Sequence, residues 1–262
     1  MAKNRDGWRC SAQALWLVLF VPAVLAFTVL IALGTWQLER KTWKEALIAS
    51  LTERLAAPPQ ALPPAAEWGK LDRARDEYRQ VRFVAAFDNT REALVFAAAS
   101  AFRPDVSSPG YWVFAPARRI GAADSVTVDS VVMVNRGFVP DGRRAPTSRA
   151  AGQVSQPLEI TGVLRWPDER HWFTPANDPD HNLWFSRDPA GIAAGKGLDP
   201  KTVAPFYVEQ EAPAPPGGLP QPGRLVVALP DDHLQYALTW YGLATVLAAV
   251  FGAWLFTSGR TA

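Results

Sequence analysis

One of the chain's three histidines, His233, stands where a long apolar run begins, in the stretch Asp231–Ala244, DDHLQYALTWYGLA. A neutral imidazole at such a place can ligate iron, cap a helix or touch lipid headgroups. Asp231 or Asp232 can serve as the N-cap, because a short carboxylate accepts from the free amides of a first turn, so the histidine is not needed for that. A helix starting here places Ala237, Trp240 and Ala244, at i+4, i+7 and i+11, on the side of His233. A haem needs an axial nitrogen, an apolar slot for its macrocycle and cations for its propionates. His233, the small and aromatic stripe below it, and Arg40 can supply all three. On residue chemistry alone, a structural histidine at a membrane surface is the default, and Trp36, Tyr236, Trp240 and Tyr241 are also expected as simple interface anchors.

Elsewhere the chemistry is sparse. His171 and His181 lie ten residues apart in a loop with Asp178 and Asp180, so a metal site is conceivable on residue types. Both also adjoin Trp-Phe pairs, Trp172-Phe173 and Trp184-Phe185, and packing there with a hydrogen bond is the stronger reading. There is no P-loop, no nucleotide fingerprint, no His-Glu-x-x-His and no Gly-x-Ser-x-Gly. The chain is therefore expected not to be an enzyme. Its formal charge of +2 is small and its basic residues are scattered, which argues against nucleic acid as a partner.

The elements that must position His233 follow from the charge distribution. No Asp, Glu, Lys, Arg or His occurs from Cys10 to Leu38, nor from Leu234 to Gly259. Each run exceeds the ~20 residues a helix needs to cross a hydrocarbon layer of about 30 Å. Transmembrane helices are expected at 12–34 and 234–257, the first as an uncleaved signal-anchor, since its apolar run is too long for a signal core. Nothing before Ser11 resembles an Arg- and Ser-rich transit peptide, which favours a bacterial inner membrane over an organelle. Residues 1–11 and 258–262 become cytoplasmic tails, with Lys3, Arg5, Arg9 and Arg260, and residues 35–233 a periplasmic domain. The only cysteine, Cys10, falls at the cytoplasmic edge, so no disulfide is expected outside. Two crossings bring Gly34–Arg40, GTWQLER, and Asp231–Tyr241 to the same membrane face. Further along, Ala244, Ala248 and Gly252 form a small-residue stripe against which another helix, the chain's own or a foreign one, can pack.

All but one of the 23 prolines lie between the two apolar runs, which disfavours long helices across most of that stretch. One exception is Glu39–Ala56, with Trp43, Leu47, Ile48, Leu51 and Leu55 at helical spacing; Pro58-Pro59 and Pro63-Pro64 end it. Strands are expected at Tyr78–Phe87, Ala93–Ala99, Tyr111–Ala115, Val126–Asn135, Leu158–Trp166, Phe206–Glu209 and Arg224–Leu229. In the first, Val81, Phe83, Ala85 and Phe87 share a face. A short helix is expected at Asp188–Lys196, and an extended or flexible excursion at Ala212–Pro222. The predicted fold is membrane α plus β: two transmembrane helices flanking a mainly antiparallel sheet, a small barrel or sandwich, with short helices.

Ordered blocks of the chain resemble the Surfeit locus protein 1 family. They are LGTWQLERKTWKEALI at Leu33–Ile48, YRQVRFVAAFD at Tyr78–Asp88, PGYWVFAP at Pro109–Pro116 and VMVNRGFVP at Val132–Pro140. ITGVLRWPDE at Ile160–Glu169, NDPDHNLWFSRD at Asn177–Asp188, PFYVE at Pro205–Glu209 and DDHLQYALTWYGLA at Asp231–Ala244 follow. They cover nearly the whole chain. Phe138 departs from the family's usual Trp, and Asp231-Asp232 from a common Asn. The resemblance implies an assembly factor for haem-copper cytochrome c oxidase that binds haem a and assists its insertion into the catalytic subunit. It makes the catalytic subunit a partner, membrane lipid the surroundings and haem a synthase a further candidate partner. His233 becomes the candidate axial ligand and Trp240 the lining of the slot, with Trp36 beside it. Arg40 as a propionate partner is inferred from its position and charge, not from the family. The alternative is a cofactor-free scaffold that holds an oxidase assembly intermediate. In VNRGFVP, Gly137 is expected to permit a turn after a strand, with Asn135 and Arg136 holding a loop. In NLWFSRD, Trp184 and Phe185 are expected in the core, and Arg187 and Asp188 as a local pair.

Overall fold

The computed structural model describes residues 6–98, 103–121, 130–227 and 231–258, with side chains from residue 18 onward. Lys3, Arg5 and Arg260 lie outside the described residues, as do the side chains of Arg9 and Cys10 and parts of three expected strands, at 99, 126–129 and 228–229.

The chain opens on one helix, α1 (Asp6–Ala56), so the helix expected at Glu39–Ala56 is its continuation. Among the described residues eight strands follow: β1 (Gln60–Ala61), β2 (Gln80–Phe87), β3 (Ala93–Ala97), β4 (Gly110–Arg119), β5 (Val131–Pro140), β6 (Leu158–Arg165), β7 (Leu183–Trp184) and β8 (Val203–Ala212). Two short helices interrupt them, α2 (Arg73–Asp76) and α3 (Pro189–Gly195), and the long α4 (His233–Ser258) closes the chain. The expected helix at 188–196 is α3 with its caps: the Asp188 carboxylate accepts from the Ala190 amide, and Lys196 is the C-cap.

These elements form two compact units, residues 1–49 with 229–262, and residues 50–228. In the helical unit, α1 from Val18 and α4 are each long and apolar enough to cross a membrane. Leu25, Val29, Leu238, Val246 and Val250 remain exposed, where the core helix of a soluble protein would bury such side chains.

The sheet unit holds all eight strands in one sheet, ordered β1-β2-β6-β8-β5-β4-β3-β7. Strand β2 pairs antiparallel with β6 and also with β4, so the ladder β2-β6-β8-β5-β4 returns to β2. The sheet is mainly antiparallel, as expected, but mixed, because some pairs run parallel. β5 and β8 run parallel, and β1 and β7 add short parallel pairs to β2 and β3. The cause is the long crossover between β5 and β8, which leaves through β6 and brings the chain back in the same direction, as parallel pairing requires. Within β5, Val132 and Val134 join one core with Phe83, Ile160 and Phe206, while Val131 and Met133 join a second with Trp112, Trp184 and Tyr207. Strand β8 alternates likewise. Both strands are therefore apolar on both faces, whereas β2 keeps the expected one-sided pattern of Val81, Phe83, Ala85 and Phe87.

The expected strand at Arg224–Leu229 does not form over its described residues. Leu225 is buried, but its amide donates to the Glu211 side chain at 3.2 Å and not to a strand backbone. The Ala212–Pro222 excursion is tied down at its end, where Phe138 and Gln221 exchange two backbone hydrogen bonds of 2.9 and 2.8 Å.

Candidate functional site

Within the helical unit, residues far apart in sequence meet. The His233 Nδ1 lies 2.7 Å from Gln37 Oε1, and the His233 amide donates to Asp231 Oδ1 at 3.3 Å. A carbonyl oxygen can only accept, so Nδ1 carries the proton and the Nε2 lone pair is left for another partner. One turn away on α1, Gly34 is buried against the Tyr241 ring, where an added Cβ would sit 2.7 Å from Cε1. Thr35 Oγ1 and the Tyr241 hydroxyl are 3.1 Å apart. The two expected segments, 34–40 and 231–241, thus share one neighbourhood.

The other sequence-derived candidates are placed less closely. Ala237 and Ala244 are 1% exposed, so the stripe below His233 is closed within the helix pair. Any room for a macrocycle is beside the pair. Trp36 is 48% exposed on α1, and Trp240 is half-buried on α4. The Arg40 guanidinium stacks over Trp36 and Trp43, at 5.8 and 5.1 Å from the ring centroids, and its contacts are with these rings, not with His233. Of the small-residue stripe, Ala248 and Gly252 line an apolar groove of about 270 Å³ with Phe20, Val24 and Phe27 of α1. Both small residues stay exposed, and nothing lies within 4 Å of a Cβ added at Gly252, so the chain's own first helix covers the stripe only at Ala244 and leaves its lower part open. Gln37 stands on the GTWQLER segment with Trp36 and Arg40, but its residue type alone assigns it no role, which comes from a partner 196 residues away.

The middle blocks build polar cores in the sheet unit. Asn135, wholly buried, donates to Glu209 at 3.0 Å and accepts from the Gly137 amide at 3.1 Å. Arg136 donates to Asn89 Oδ1 at 2.7 Å and to the Gly152 carbonyl at 2.6 Å, so Arg136 holds loops as expected, whereas Asn135 ties β5 to β8 instead. Burial pulls the Arg136 guanidinium down to about 10. Gly137 does not follow β5 but lies inside it, at φ +123°, where the backbone of Gln221 passes too close for any Cβ. Trp184 enters the core, while Phe185 is half-buried against Phe96. Arg187 does not pair with Asp188, which caps α3. It faces Asp168 at 3.7 Å and Glu209 at 3.9 Å, and stacks on Trp112. Nearby, burial pushes the Tyr207 hydroxyl up to about 12 against the pull of Arg187 and Arg165.

The two loop histidines do not converge. His171 stacks on Phe173 at 5.4 Å, and His181 Nδ1 lies 2.7 Å from Asp178. No group of three or more His, Cys, Asp or Glu side chains fit to hold a metal occurs among the described residues.

A mixed-sheet unit inserted between two helices that are long and apolar enough to cross a membrane defines the class of protein. Residues 24–245 match the SURF1 family, and the chain belongs to that family. Surfeit locus protein 1 of Rattus norvegicus is 33% identical over 237 residues, 87% of this chain and 71% of the relative. A SURF1-like protein of Monosiga brevicollis is 32% identical over 247 residues, covering 92% of this chain and 86% of its own length. Surfeit locus protein 1 of Homo sapiens is 30% identical over 239 residues, 87% of this chain and 73% of the relative.

Proposed function

We propose that the chain is a non-catalytic assembly factor for haem-copper cytochrome c oxidase that binds haem a and assists its insertion into the catalytic subunit. The observation that supports this best is the hydrogen bond from His233 Nδ1 to Gln37. Metal-ligating histidines commonly donate their other ring nitrogen to an oxygen acceptor, which fixes tautomer and orientation. Gln37 does this for His233, so Nε2 has the lone pair an iron needs. Trp36 and Trp240 offer apolar surface beside the helix pair, and Arg40 a cation for a propionate. Haem a is the cargo here, so a single ligand at an edge suits release better than a closed two-ligand site.

In this reading α1 and α4 cross a bacterial inner membrane, both termini are cytoplasmic and the sheet unit is periplasmic. The exposed apolar side chains of both helices support the crossings. The returning ladder of strands supports a small barrel over a sandwich.

The experiment is a haem a titration of the purified full chain, followed by absorption. The wild type should develop a ligand-bound spectrum that His233→Ala loses. Binding with unchanged spectrum and affinity in that variant would overturn the ligand assignment. An unpigmented protein that still co-purifies with the catalytic subunit from haem-a-deficient cells would favour the scaffold alternative.

A further inference from the structure

The sheet unit contains a cleft of about 710 Å³, a volume in the usual range for small-molecule sites. Its walls come from the start of β3, from residues 144–153, from the loop at 181–182, and from the end of α3. Two cations line it, Arg144 and Lys196, together with one buried carboxylate, Glu92. That carboxylate is already taken. The Arg149 guanidinium, wholly buried behind it, binds both its oxygens, and Gln153 adds a weak third contact at 3.4 Å.

The cations are not taken in the same way. Arg144 donates one N–H to the His181 carbonyl at 2.7 Å and lays its guanidinium over the Tyr111 ring at 5.2 Å. A guanidinium has five N–H donors, so most of its capacity remains. Lys196 makes no side-chain hydrogen bond or ion pair among the described residues, and Glu92 acts on it only at a distance. Partial burial lowers the pKa of its amine. A lysine at a helix end is ordinary when it reaches into water, because it complements the helix dipole. One drawn into a cleft without a counter-charge loses hydration and gains nothing locally. Since Glu92 is neutralised from behind, the charge facing the cleft is positive.

We propose that this cleft is a binding site for a small anionic ligand, one bearing a carboxylate or a phosphate, gripped between Lys196 and Arg144. The remaining wall, with Leu94, Pro146 and the amides of Asn182 and Gln153, accommodates a partly apolar body behind the anionic group. This site is separate from the proposed haem a site and does not depend on it.

The test uses the full chain in detergent with pyridoxal phosphate as probe. Its aldehyde condenses with an amine, releasing water, and borohydride reduces the imine to a stable secondary amine. Pyridoxal, which lacks the phosphate, controls for amine reactivity. Mass mapping then compares Lys196 with Lys70 and Lys201. Pyridoxal phosphate should label Lys196 about tenfold faster than pyridoxal does, as one charge-assisted contact would give, with no such ratio at the other two lysines. Inorganic phosphate or succinate should slow labelling at Lys196 alone, and the better protector identifies the anion class. Arg144→Gln should abolish the preference for the phosphorylated probe, read as the ratio of the two labelling rates at Lys196, and Arg144→Lys should retain it. Equal rates for the two aldehydes at Lys196, or protection by neither anion, would overturn the proposal.

Discussion

The ion pair behind the cleft sets up a sharp prediction. Arg149 is 0% and Glu92 5% exposed, and two guanidinium N–H groups face the two carboxylate oxygens. The same guanidinium also reaches the Arg143 and Arg144 carbonyls at 3.3 and 3.4 Å. Arg149→Met keeps the bulk but leaves Glu92 in the interior with only Gln153 donating to it. Breaking a buried pair from one side costs ~3–5 kcal/mol, because a charge is stranded away from water. Against a typical total of ~5–15 kcal/mol, the sheet unit loses a large share of its stability. Removing both charges, with Glu92→Leu added, should recover most of that loss, since an apolar pair of similar volume has no desolvation to offset. Urea unfolding of the full chain in detergent, followed by near-UV circular dichroism, measures both variants. The reasoning fails if Arg149→Met costs under ~1 kcal/mol, the value for an exposed pair, or if the double variant is no better than the single one.

Gly137→Ala meets both a positive φ and the Gln221 backbone, with the new Cβ 2.1 Å from its carbonyl oxygen; a loss of about 3 kcal/mol or more in the same assay is expected. Tyr207, unfolded, titrates near ~10 but in the fold only at about 12. The unfolded chain therefore releases this proton first, so the contribution is intact below pH ~10 and lost as pH rises toward the folded value, a decline of roughly 2–3 kcal/mol. Unfolding midpoints at stepped alkaline pH check this, and Tyr207→Phe should flatten the decline. Gln37→Leu should weaken haem a binding about tenfold or more by releasing the His233 tautomer, with titration by absorption as the measure; unchanged affinity would remove Gln37 from the site.

What could be read from the sequence depended on how locally each feature is encoded. The two long apolar helices stand out because charge is absent for whole stretches, and β2 because its four buried residues alternate. β5 and β8 carry apolar residues on both faces, so alternation is silent there, and their length and parallel pairing follow from a crossover that no local pattern marks. The two-residue β1 and β7 offer no period at all. Arg224–Leu229 shows a strand's composition, yet a glutamate side chain takes the amide of Leu225. Arg187 beside Asp188 looks like a pair, but Asp188 is committed to the helix start and the arginine turns to residues far along the chain. His233 was legible because an imidazole at the mouth of an apolar run is chemically conspicuous. Gln37 was not, because a glutamine at a helix surface is ordinary until its partner is known.

The choice of glutamine opposite His233 bears on the proposed role. An anionic acceptor at Nδ1 would fix the tautomer too, but it would also raise the basicity of the imidazole and tighten its hold on iron. It would further place a second charge near the apolar segment, where an unpaired carboxylate is costly. A neutral amide oxygen orients the ring without either effect. The neighbouring contacts act the same way. Gly34 lets the Tyr241 ring close onto α1, and Thr35 meets its hydroxyl, so the two helices are fixed in register where Gln37 must reach across. Orientation is thus supplied by packing and by one uncharged hydrogen bond, while affinity is left to whatever the guest itself contributes. Under the proposed carrier role that division is the physically sensible one: the ligand is aimed in advance, which lowers the entropic cost of capture, while a neutral acceptor at Nδ1 adds no charge that would tighten the hold on the proposed cargo.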